Sequence, residues 1–90
     1  MRKIVAGVER DTADLELVAG WGFVLPGGEQ ATEYLYRLGD LWFLSFEDGQ
    51  GFEDLISLTA GEAREWLIDT GCLDTLERVF GERIAAISLN

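Results

Sequence analysis

The sequence predicts an α+β fold, a small antiparallel sheet of three or four strands packed by two C-terminal helices. Three observations carry that expectation. Aromatic and aliphatic runs flank a two-residue Gly39-Asp40 turn, and two segments after Leu58 show the apolar spacing of helices. No repeat, low-complexity tract or long linker divides the 90 residues, so 1–90 reads as a single domain. A hydrophobic content of 48% with 11% aromatic residues is too rich for a disordered chain, despite a net charge of -10.

In chain order, residues 3–8 (Lys-Ile-Val-Ala-Gly-Val) are short and rich in β-branched types, which predicts a strand. Glu9-Arg10-Asp11-Thr12-Ala13-Asp14 follows as a polar turn. Two patterns then compete. Leu15, Leu17, Ala19, Trp21, Phe23 and Leu25 alternate as a strand requires, yet Asp11 also stands where it would cap a short helix. That helix would present Leu15, Val18 and Ala19 on one face and stop at Gly20. The strand is the preferred reading, and Pro26-Gly27-Gly28 ends either element.

The centre is a tight hairpin. Residues 33–38 and 41–46 are joined by a Gly-first turn, which favours the II′ type. This register sets Leu38 against Leu41, Tyr36 against Phe43 and Tyr34 against Ser45 on one side. Arg37 then opposes Trp42, Leu35 opposes Leu44 and Glu33 opposes Phe46 on the other. Both faces are apolar, so the sheet is either covered twice or offers one aromatic face to a partner.

Two helices follow. Thr59-Ala60-Gly61-Glu62 has the form of a capping box, with Leu58 placed to staple onto Ala63. Ala63, Trp66 and Leu67 share a helical face that Gly71 terminates, and Glu62, Glu65 and Asp69 form a stripe bordering Trp66. Asp74-Thr75-Leu76-Glu77 repeats the capping pattern ahead of a stripe of Leu76, Val79 and Phe80 that ends at Gly81. Ile84 to Leu89 then reads as a last helical turn or an edge strand.

The charge is distributed one-sidedly. Between Asp40 and Glu77 lie ten acids, opposed by Arg64 alone. Such a block weakens the compact state by self-repulsion and draws the chain toward cationic surfaces. With seven Lys and Arg against seventeen acids, direct binding of nucleic acid or of an anionic membrane surface is disfavoured. No apolar run reaches the ~20 residues of a membrane span, and the basic start at Met1-Arg2-Lys3 is cut by Glu9 before a secretory leader forms. The single Cys72 excludes an internal disulfide and fits a reducing compartment, so a cytoplasmic location is expected.

Catalytic patterns are absent. Without histidine neither Ser–His nor Cys–His pairs can be assembled, and acids near Cys72 disfavour a reactive thiolate, so a buried structural thiol is expected. No phosphate loop or dinucleotide fingerprint occurs. Glu47-Asp48-Gly49-Gln50-Gly51-Phe52-Glu53-Asp54 is the one segment resembling a calcium loop, but Gln50 and Phe52 break the alternation of ligands. A solvated turn is the better reading, with neither metal nor other cofactor expected.

Some residues carry a resemblance. Tyr34-Leu35-Tyr36-Arg37, Gly39 and Trp42-Phe43-Leu44 resemble the "LYR…G.(W/Y)FL" start of a family of short uncharacterised bacterial proteins. Leu58-Thr59-x-x-Glu62-Ala63-x-x-Trp66-Leu67 is similar to that family's "LT.eEA..WL" helix, and Phe80-Gly81-Glu82 to its terminal "FGE". The resemblance spans about residues 33–82, with a Gly-rich aromatic insert of the family mostly missing. Many such proteins look like cargo of phages and mobile elements, which implies an inhibitor of host defence, either anti-CRISPR or DNA-mimic in type.

The expected function is therefore non-enzymatic. Carboxylates of Glu47, Asp48, Glu53, Asp54, Glu62, Glu65 and Asp69, with Trp66 beside them, would occupy a basic nucleic-acid channel, such as that of a CRISPR effector. The second reading is a module, monomeric or homodimeric, whose dimer forms through Tyr34, Tyr36 and Phe43 of the hairpin. A small metal-dependent enzyme built on the 47–54 loop is a distant third.

Overall fold

The structure, a computed structural model, describes residues 1–81. Along them run β1 (Arg2–Val5), β2 (Val8–Asp11), β3 (Glu16–Val24), β4 (Gln30–Leu38), β5 (Leu41–Asp48), β6 (Glu53–Leu58), α1 (Ala60–Asp69) and α2 (Leu73–Phe80). Strands β3 to β6 form an antiparallel meander in sequence order, and β1–β2 is a separate hairpin. This is the expected α+β architecture.

The N-terminus departs from expectation. Residues 3–8 do not form one strand: Val5 pairs with Val8, and Ala6-Gly7 turns the chain back. Both turn residues have positive φ, 50° and 79°, the pattern of a type I′ turn. Glu9 to Asp11, expected in a polar turn, form the returning strand. The helix competing for the next segment shrinks to a 3-10 turn at Thr12–Asp14, where Asp11 Oδ1 accepts the Ala13 N–H at 3.0 Å. Beyond it the strand pattern prevails. The alternation is broken once, because a bulge at Val18 shifts the register between Leu17 and Ala19. Leu17 consequently shares a face with Tyr36, while Ala19 shares the other with Leu35.

The central hairpin has the expected register at every pair from Glu33–Phe46 to Leu38–Leu41. Gly39 takes φ 59°, the positive φ that the first II′ position requires. On one face of the sheet, Leu35 and Trp42 pack with Ala63, Trp66, Leu67 and Leu76 of the helices. Trp42 stacks on Phe80 with ring centroids 5.2 Å apart. On the other face, Val5 of β1 covers Phe43 and Leu55, and the Arg10 guanidinium lies 5.3 Å over the Phe43 ring. Phe43 is only 3% exposed, so the dimer surface expected through Tyr34, Tyr36 and Phe43 lacks its central residue.

Helix α1 has both ends that its residues imply. Thr59 accepts from the Glu62 N–H while Glu62 accepts from the Thr59 N–H, completing the capping box. At the far end Gly71 takes φ 76°, and Cys72 N–H returns to the Leu67 carbonyl while Gly71 N–H returns to Ile68, a Schellman closure. That closure hands the chain directly to α2, whose N-cap is Cys72 and has no side-chain cap. The repeat of the capping pattern at Asp74 is thus not used as a cap; Asp74 sits in the first turn. The expectations for Ile84 to Leu89 and Glu82 lie outside the described residues. No helix among those described is long and apolar enough to cross a membrane.

Candidate partner-binding surface

Capping by Thr59 fixes the angular setting of α1, and Ala63 and Leu67 then anchor its inner face to the sheet. The next face round carries Glu62, Glu65 and Asp69. Together with Trp66 they line a groove of about 570 Å³ whose other wall includes Leu44 and Leu58 of the sheet. Four residues singled out in the sequence are therefore brought to one site. Trp66 itself is buried, so it forms a wall of the groove and does not project from it. Its indole N–H donates to Glu33 Oε1 at 3.1 Å, fixing the ring edge toward β4. Glu65 approaches Arg64 at 3.6 Å across an exposed surface, a contact of little energetic weight.

The acids of the 47–54 segment do not join that groove as a unit. Strand pleating divides them, since Glu47 pairs with Glu53 on one face and Phe46 pairs with Asp54 on the other. Like charges directly opposite on paired strands are destabilising. Asp48 acts locally, its Oδ1 accepting the N–H groups of Gln50 at 2.8 Å and Phe52 at 3.0 Å to close the turn. Gln50 in turn donates to Glu29 at 2.6 Å. This is a turn held by its own side chains, and no cluster of three or more metal-ligating side chains occurs among the described residues. Cys72 is half-buried with the Thr70 hydroxyl 3.3 Å from its sulfur.

Aromatic residues extend the groove. On the same face of β5 as Leu44 lies Phe46, flanked by Glu33 on β4 and Asp54 on β6. Trp21 on β3 opposes Glu33, so Trp21, Glu33, Phe46 and Asp54 form one row across four strands. Phe23 stacks on Trp21 at 4.6 Å and meets Phe46 at 6.2 Å, while Phe52 meets Phe46 at 5.9 Å. Trp21 is 39% exposed and Phe52 56%, because the two helices cover only the other half of this face. Sequence reasoning did not select Phe23, Phe46 or Phe52. The signal was present, for Phe23 and Phe46 share the alternation of their strands with Trp21 and Leu44, but the extent of helix cover is not a local property.

No protein-family model, no curated protein and no solved structure matches this chain.

Proposed function

We propose that this chain is a small non-enzymatic inhibitor of the anti-CRISPR or DNA-mimic type, which binds a basic nucleic-acid-binding surface of a host defence effector. The supporting observation is the continuous surface made by the α1 groove and the aromatic row, apolar in its floor and carboxylate at its rim. Guanidinium and ammonium groups are attracted both to aromatic faces and to carboxylates, and this surface offers the two side by side. The carboxylates of Glu62, Glu65 and Asp69 stand in for phosphates, while the apolar floor supplies contacts that a nucleic acid lacks. The resemblance to phage and mobile-element proteins supplies the setting, a bacterial cytoplasm in which such effectors act.

Steering by exposed charge acts on association and is screened by salt, the Debye length falling from ~10 Å at 0.1 M to ~3 Å at 1 M. The test starts with capture of the effector from host lysate on the immobilised chain and its identification by mass spectrometry. Wild type and a Glu62→Lys/Glu65→Lys/Asp69→Lys variant are then compared for association rate and for displacement of the effector's own nucleic acid. The expected result is an association rate reduced at least tenfold, on the order of the gain that steering gives, with displacement lost in parallel. An unchanged, salt-insensitive rate would show that these charges only solubilise the surface.

A further inference from the structure

We propose that two copies of this chain pair through the outer edge of β3, joining their sheets by antiparallel β-addition. Strand β3 ends the order β3-β4-β5-β6, and among the described residues nothing pairs with its outer side. The opposite edge differs, since β6 has β1 packed close to it and carries the carboxylates of Glu53 and Asp54. An open edge offers a row of backbone donors and acceptors to a further strand, and proteins usually guard it with lysine, proline or a bulge. Within β3, among the described residues, the bulge at Val18 is the one such guard, and Ala19 to Val24 pair with β4 in unbroken register.

Charge identifies the occupant. Residues 17–28 carry no ionisable side chain, although the chain as a whole has seventeen acids and seven basic residues. Two molecules each of net charge -10 repel wherever their carboxylates meet, and the β3 edge is where they approach without that opposition. Trp21 at 39% and Val24 at 66% exposure leave apolar area there to be buried. A two-fold axis at Gly22 sets Trp21 of each copy opposite Phe23 of the other, an aromatic cross-strand pairing. Gly22, at the axis, carries no side chain to crowd the two strands there. Pairing stops naturally where Pro26 removes a donor.

Sedimentation velocity from about 5 to 500 μM, the range in which small interfaces associate, tests this. Weight-average mass is expected to rise from 10.0 kDa toward twice that value. Salt is expected to strengthen the dimer by screening the residual repulsion, the reverse of its effect on a basic partner, so this result stands apart from the fate of the proposed function. Trp21→Lys and, separately, Val24→Lys should each return the protein to 10.0 kDa with unchanged circular dichroism. A second Lys variant keeps the test valid should Trp21→Lys disturb the fold. The proposal is overturned by a mass fixed at 10.0 kDa at 500 μM in both low and high salt. It is equally overturned by a dimer that persists in both variants.

Discussion

The Trp66 indole N–H donates to Glu33 Oε1 across 3.1 Å, tying the middle of α1 to the middle of β4. Glu33 also lies between Trp21 and Phe46 in the aromatic row, so one carboxylate serves both the helix contact and the open surface. Trp66→Phe keeps a ring in the groove wall and removes the donor. It should lower stability by about 1.5–3 kcal/mol, the range for a hydrogen bond to a charged acceptor. Glu33→Gln, which keeps an acceptor, should cost less. Urea denaturation of the two variants beside wild type checks the ordering.

Gly20 lies under the ring of Tyr34, its cross-strand partner, and a Cβ there would stand 3.0 Å from Cδ1 and Cε1. The ring covers the backbone that a glycine leaves bare. Gly20→Ala should therefore destabilise by about 1 kcal/mol, the lower end of the overpacking range, because a half-buried ring can give way. Combining it with Tyr34→Ala should remove most of that increment, which a double-mutant cycle measures directly.

Ala6 is the one described non-glycine residue with positive φ, at 50°. Left-handed backbone strains alanine, whereas asparagine followed by glycine suits a type I′ turn. Ala6→Asn should raise stability by about 0.5–1 kcal/mol, seen as a higher melting temperature.

Phe43→Glu distinguishes covered from exposed aromatics. Phe43 is packed beneath Val5 and Arg10, so the substitution buries a carboxylate and removes a ring. A loss of at least about 3 kcal/mol is expected, with unfolding and not with dissociation of a folded dimer. Trp21→Glu, by contrast, should leave the circular dichroism spectrum intact.

Acid and alkali should act on different residues. The Ala13 N–H holds the Asp11 carboxyl below its ordinary value of 3.8, aided by the N-terminal ammonium and Arg2. A group more acidic when folded stabilises above its unfolded value and loses that contribution as pH falls through the folded one. Part of the acid loss below pH 3.8 should thus be absent in Asp11→Asn, which keeps the cap. Burial pushes the Tyr36 phenol above 10.0, so its contribution is full below that value and fades as pH rises through the higher folded one. Tyr36→Phe should flatten the alkaline limb of the melting-temperature profile.

The elements legible in the sequence were those whose residues act on close neighbours. Gly39-Asp40 with flanking alternation dictates the β4–β5 register, and Thr59 with Glu62 dictates the start of α1. The β1–β2 hairpin was hidden because Ala6-Gly7 lacks the asparagine or aspartate that marks a type I′ turn. The α2 start was misplaced because the Schellman closure of α1 reaches Cys72 and leaves no room for a separate cap at Asp74. At the candidate surface, helical spacing was enough to group Glu62, Glu65, Asp69 and Trp66. It could not assign Glu47 and Glu53 to one side of the sheet and Asp54 to the other, since that division depends on pleating and on which faces the helices and hairpin occupy.

Charge is divided unequally between the hairpin and α1, which lie on opposite sides of the sheet. The hairpin that covers Phe43 carries Arg2, Lys3 and Arg10 against Glu9 and Asp11, while the helix over the opposite side carries Glu62, Glu65 and Asp69 against Arg64. The described residues accordingly form an electric dipole within an anionic chain. An external positive potential exerts a torque on it and rotates the α1 side forward before any atom touches, so a thin domain enters an encounter already oriented.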